Sequence, residues 1–154
     1  MAKRTINGIE ELKSLAGQDL GSSDWIEIDQ GTIQAFADAT GDHQWIHVDV
    51  ERAQKESPFG GPIAHGLLTL SIGPRLMFDV FEMTGVAGGL NYGYGKVRFP
   101  APVPAGAKLR MNATLTSVED VPGGVQAVVT QTFEVEGGTK PVCVAEAMVR
   151  FFGG

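Results

Sequence analysis

Near residue 90 the hydrophobic spacing of this chain switches from helical intervals to strict alternation. Apolar residues then recur every second position over 90–99, 108–118, 124–136 and 142–152, most clearly at Val125, Ala127, Val129, Phe133 and Val135. Helical segments first and alternating strands afterwards predict an α+β fold with an antiparallel sheet in the second half. Gly123-Gly124 and Gly137-Gly138 predict tight hairpin turns between those strands. Pro100, Pro102 and Pro104 mark a connection, because proline cannot donate to a central ladder.

The first half divides at its caps and glycines. Asn7 to Leu15 reads as a short helix with Ile9, Leu12 and Leu15 on one face. A Gly- and Ser-rich turn leads to a strand over Trp25–Ile28. Asp29 suits the N-cap of a helix carrying Ile33, Phe36, Ala37 and Thr40, and Gly41 closes it. A further short helix is expected over Asp49–Lys55, before the turn cluster SPFGGP. From Gly66 to about Phe81, apolar residues occur all the way round, which predicts a buried helix that the sheet wraps. Pro74 should kink or divide that helix.

Composition narrows the function. The 154 residues predict one domain over 1–154, long enough for a core without disulfides or metals. The single cysteine, Cys143, excludes an internal disulfide and multi-cysteine zinc motifs. No apolar run approaches the ~18 residues of a membrane span, and the first residues lack a signal core. A soluble protein of a reducing cytoplasm is the expectation. The net charge of −6 argues against nucleic acid as a partner. Glycine, at 21 residues, is about twice its ordinary ~7% share, so tight turns or close backbone approach are needed.

Two stretches could carry chemistry. In FADATGDHQWIHVD a helix ends at a glycine, and Asp42 and His47 follow five residues apart. Irregular chain of that length can bring both side chains to one water, as a general acid–base pair requires. The plainer alternative leaves Asp42 capping local backbone and His47 buried and satisfied. In FGGPIAHGLLTLS, glycines lead into the buried helix, whose free N–H groups and partial positive charge suit a developing oxyanion. Gly66 would let a carbonyl approach its amide, whereas Gly60, Gly61 and Gly66 could equally serve only a turn and a packing contact. Together, an acid–base pair and an oxyanion site suffice to add or remove water beside a carbonyl.

The run TGDHQWIHVD followed by PFGGPIAHGLLTLS resembles the MaoC-like dehydratases, the single-domain (R)-specific enoyl-CoA hydratases, in their nodulation-protein-N-like actinobacterial branch. The resemblance covers most of the chain. It implies a hot-dog fold, a long central helix wrapped by a five-stranded antiparallel sheet, paired into a homodimer or larger. By position it implies Asp42 and His47 as the catalytic dyad and the Gly66 amide as the oxyanion donor. Gly61, His65 and Trp45 fall where substrate would bind. His65 touches the thioester or, as its place before the helix suggests, orients the loop. Trp45 is an acyl-pocket wall or core. The substrate implied is a trans-2-enoyl thioester of coenzyme A, the product a (3R)-3-hydroxyacyl-CoA, with no metal and no cofactor beyond the coenzyme A of the substrate. One departure is Gln44-Trp45, where many members carry Asn-Pro.

The remaining candidates have plainer roles. His43 and Asp38 read as exposed, Ser71 has no base near it, and Lys96, Arg98 and Lys108 are solvated cations unless they meet the coenzyme phosphates. Two other functions fit the same architecture. A hot-dog thioesterase would need a carboxylate near the helix start, and Asp79 lies at its far end. A non-catalytic acyl-CoA-binding accessory subunit would have lost the chemistry that both dyad positions and the glycine retain.

Overall fold

In the computed structural model, which describes residues 3–153, the chain enters through strand β1 (Arg4–Asn7) and helix α1 (Gly8–Ser14). Strands β2 (Asp19–Ser22) and β3 (Ile26–Glu27) follow, then helices α2 (Gln30–Thr40), α3 (Trp45–Val48), α4 (Val50–Glu56) and α5 (Gly66–Val80). Strand β4 (Phe81–Thr84) leaves α5 directly. Four long strands complete the fold: β5 (Val86–Arg98), β6 (Lys108–Val121), β7 (Gly124–Val135) and β8 (Cys143–Gly153).

The main sheet is antiparallel and runs β2-β6-β7-β8-β5, with the two-residue β3 added on β6. Its inner face follows from alternation. Val125, Ala127, Val129, Gln131 and Phe133 of β7 are buried while their neighbours are not, and β8 repeats the pattern from Cys143 to Phe151. Helix α5 lies in the concavity and buries Leu68, Thr69, Gly73, Leu76 and Val80 at helical spacing. This is the sheet-wrapped helix of the α+β reading and the hot-dog arrangement that the resemblance implies. Burying a leucine such as Leu76 contributes about 1.5–3 kcal/mol, an upper estimate given a partly collapsed unfolded chain.

Four details differ from expectation. Of the two outcomes expected for Pro74, division is excluded, since α5 continues through it over 15 residues; Gly73 and Leu76 on either side are buried, so packing offsets the hydrogen bond that proline removes. The Gly- and Ser-rich stretch is not only a turn but carries β2, paired with β6. A parallel pair, β1 with β4, ties the start of the chain to the end of α5; strands this short and distant carry no detectable alternation. Finally, α5 is apolar all round yet not buried all round, with Leu67 60% and Phe78 66% exposed. Among the described residues nothing buries these two side chains.

Candidate active site

The side chain of Asp29 accepts hydrogen bonds from the amide and hydroxyl of Thr32, both at 2.8 Å, and caps α2. Those bonds hold its carboxyl below the usual carboxylate range. At the other end Gly41 takes φ +82°, a left-handed C-cap that turns the chain sharply. Asp42 emerges from this turn, exposed, with its carboxylate accepting from the Gln44 amide at 3.4 Å.

His47 is not on irregular chain but on the single turn α3, where a short helix fixes its direction. The ring is buried, and Nδ1 donates to the Ile63 carbonyl at 2.7 Å. A carbonyl only accepts, so the neutral ring carries its proton on Nδ1 and a lone pair on Nε2. Gln30, at the start of α2, donates from Nε2 to the His47 carbonyl at 2.6 Å. The Ile63 acceptor is itself anchored. Its amide donates to Ile46 at 3.1 Å, the Ala64 amide donates to Val103 at 2.8 Å, and Ile63 bridges to Pro104.

His65 stacks on His47, with ring centroids 3.8 Å apart and planes inclined by 24°. Its other neighbour is Phe36, at 4.9 Å. Nε2 of His65 donates to the Asp42 carbonyl at 3.0 Å. His65 therefore ties the Asp42 turn to the start of α5, which is the loop-orienting position. Asp42, His47 and His65 each place one polar side-chain atom within 4.8 Å of the others. This trio is the one metal-like cluster among the described residues. Two nearly parallel rings at this separation have planes that meet far from either, so their in-plane lone pairs do not converge on an ion at ~2.0–2.1 Å.

Helix α5 begins at Gly66, and the Gly66 amide has no partner among the described residues. The ring of Phe99 lies across this glycine. A Cβ at position 66 would stand 3.0 Å from Cδ1 of Phe99 and 3.1 Å from Cε1 and Cγ. A side chain here would need that ring to give way. Gly61 differs, since a Cβ there would meet nothing within 4 Å. Trp45 is half-buried under the guanidinium of Arg52, at 4.2 Å, and is not among the residues lining the cavity of about 510 Å³ beside α5. His43 and Asp38 form an exposed pair at 3.0 Å, which with Gln34 holds the Asp38 carboxyl low. Ser71, Lys96, Arg98 and Lys108 are exposed on α5, β5 and β6.

Gln30, the Ile63 carbonyl and Phe99 escape a reading of the sequence. A lone glutamine, a backbone oxygen and a phenylalanine near prolines carry no pattern that marks a site. A cavity of about 510 Å³ lies away from the dyad, beside the C-terminal half of α5. Pro74, Met77, Phe81, Tyr94, Gln131 and Val149 are among the residues lining it. Pro74 and Met77 are roughly 12–17 Å from Gly66 along the helix axis at 1.5 Å per residue.

Residues 11–137 match the family described as MaoC like domain. The chain is 52% identical over 149 residues to 3-hydroxyacyl-thioester dehydratase Z of Mycobacterium tuberculosis, covering 96% of this chain and 98% of that protein. It is 45% identical over 143 residues to nodulation protein N of Rhizobium leguminosarum bv. viciae, covering 89% and 86%. Among solved structures, the (R)-hydratase from A. caviae involved in PHA biosynthesis superposes with a TM-score of 0.69 at 25% identity, covering 87% of this chain and 94% of that one. The fold, the glycine-led helix and these relationships agree: the chain belongs to the MaoC-like dehydratase family.

Proposed function

We propose that the protein is an (R)-specific enoyl-CoA hydratase, adding water reversibly to a trans-2-enoyl-CoA to give the (3R)-3-hydroxyacyl-CoA. The observation that carries this reading is the grouping of polar side-chain atoms of Asp42, His47 and His65 within 4.8 Å of one another, with Nε2 of His47 left as an acceptor and the unpartnered Gly66 amide directly after His65 in the chain. Both dyad groups are acceptors. One water can donate a hydrogen bond to each and present its own lone pair to C3 of the enoyl chain. As the C3–O bond forms, electrons move through the double bond to the thioester oxygen. The Gly66 amide and the positive end of α5 stabilise that oxygen, a donor of this kind being worth ~2.7–4 kcal/mol.

Asp42 takes the proton released by the water. His47 is backed by a neutral carbonyl rather than by a carboxylate, so the negative charge available for neutralisation lies on Asp42. The dyad then delivers a proton to C2 on the same face, which closes the balance: one water added, no electrons exchanged. That chemistry calls for no metal and no cofactor other than the coenzyme A of the substrate. The names of the 3-hydroxyacyl-thioester dehydratase and (R)-hydratase relatives support the assignment.

The enzyme works as a homodimer in the cytoplasm on this reading. Strand β5 is an end strand of the sheet, and with the outer face of α5 it exposes Leu67, Phe78, Leu90, Tyr92 and Tyr94. A free edge flanked by an apolar patch suits a second copy. Two-fold pairing across that patch would lay a second copy over Phe78, Leu90 and Tyr94, which also line the cavity.

Loss of enoyl-thioester absorbance from crotonyl-CoA tests the proposal. Asp42→Asn and His47→Ala should each lower turnover by roughly 10²–10⁴-fold. Chiral analysis of the product should give the R alcohol. Release of free thiol would indicate a thioesterase instead, and inert wild-type protein with enoyl chains of every length would indicate an accessory subunit.

A further inference from the structure

We propose that Gln131 selects acyl thioesters whose chain carries a hydroxyl or oxo group beyond C3. The proposal rests on the acyl-thioester reading above. Gln131 occupies an inward position of β7, between Val129 and Phe133, and is only 2% exposed. Its Oε1 is buried without a hydrogen-bond partner. A carboxamide left unpaired in an apolar interior is costly, and apolar side chains fill the other inward positions of the strand.

Space has been made for this group. A Cβ at Gly73 would stand 3.0 Å from Oε1 of Gln131 and 3.2 Å from Cζ of Phe133, so glycine in α5 accommodates the amide. Thr69, one helical turn earlier on the same buried face, also leaves its hydroxyl without a partner. Gln131 lines the 510 Å³ cavity, where it is the one buried polar side chain among the described residues. A pocket lined mainly by apolar side chains, with Lys3, Glu82 and Asn91 exposed on its wall and one buried unpartnered carboxamide, fits an aliphatic chain interrupted by one hydrogen-bonding oxygen. Oε1 lies against Gly73, so a hydroxyl would donate to this acceptor after a rotation of the carboxamide toward the cavity, and an oxo group would accept from Nε2.

Calorimetric binding of saturated acyl-CoA pairs, equal in length and differing by one hydroxyl moved along the chain, tests this without catalysis. Wild-type protein should bind the best-placed hydroxyacyl-CoA about 3–10-fold more tightly than its plain counterpart, the range expected for one net hydrogen bond. Gln131→Met and Gln131→Leu should bring that ratio to about one. A wild type with no preference at any hydroxyl position would overturn the proposal, and needs no variant to fold. So would variants that weaken both ligands equally, which would leave the amide a structural group on a bound water. Hydration of crotonyl-CoA reports separately. Turnover without a hydroxyl preference removes only the role of Gln131; a preference without turnover removes only the hydratase assignment.

Discussion

Gly66→Ala separates the chemistry of the helix start from its packing. The added methyl would stand 3.0–3.1 Å from three atoms of the Phe99 ring, closer than ordinary contact. The ring is 44% exposed, so it can swing toward solvent instead of pressing into the core. The overpacking therefore falls near the low end of the ~1–3 kcal/mol such insertions cost. Alanine in place of glycine returns up to about 0.5–1 kcal/mol of helix stability. The net change is near zero to about 1 kcal/mol, a shift in Tm of no more than about 4 °C for a chain this size. Activity should respond far more. The methyl and the displaced ring crowd the approach to the Gly66 amide, and losing much of a ~2.7–4 kcal/mol donor lowers kcat by roughly 10²–10³-fold. Thermal denaturation beside crotonyl-CoA hydration reads both quantities. Gly66→Ala combined with Phe99→Ala should restore Tm without restoring kcat. Wild-type turnover in Gly66→Ala would refute the oxyanion role, and a fall in Tm of ten degrees or more would refute the account of a yielding ring.

Other expectations concern the supports of the site. Gln30→Leu removes the donor to the His47 carbonyl, and should lower kcat by about 10-fold with a smaller effect on KM; unchanged kcat would show that α3 holds His47 unaided. Leu76→Ala empties a fully buried position on α5 and should cost about 2–5 kcal/mol in denaturant unfolding. Burial pushes the Cys143 thiol up from 9.0 to about 11. Its neutral form favours the fold, so stability should hold below pH 9 and fall as pH rises toward 11. The thiol should also resist modification until the protein unfolds. Asp29 has the opposite sign, because the capping bonds favour its ionised form. Its contribution is present above pH 3.8 and lost as acid protonates the cap, a loss that Asp29→Ala should abolish in an acid titration of Tm. Phe78→Arg on the exposed face of α5 should yield monomers in sedimentation and reduce turnover, although the dyad is untouched.

The sheet was legible because its residues face two different environments. Alternation from Val125 to Phe133 and the Gly123-Gly124 pair translate directly into β7 and the tight turn before it, whereas Gly137-Gly138 lies in a longer connection over 136–142 rather than in a tight hairpin. Capping was legible for the same local reason, since Asp29 and Gly41 act within one helical turn of themselves. What could not be read depends on distant chain. β1 is a strand only because β4, far along the sequence, lies beside it. The burial of α5 was overestimated because an all-round apolar helix reads the same whether its last face meets the sheet or stays exposed, as Leu67 and Phe78 do.

At the site, spacing indicated that Asp42 and His47 could meet but not what each would do. The ring of His47 becomes an acceptor at Nε2 because the Ile63 carbonyl takes the Nδ1 proton, and that carbonyl is placed by bonds to residues near 46 and 103. A tautomer is thus set by backbone that no motif describes. Gln131 is the contrary case. Its polar side chain interrupts an inward apolar series and was visible in the alternation, where it reads as a blemish in the strand. It becomes a chemical feature only when Gly73, on another element, leaves room for the carboxamide and the cavity opens beside it. A break in a pattern carries information about function when the fold gives it space and withholds a partner.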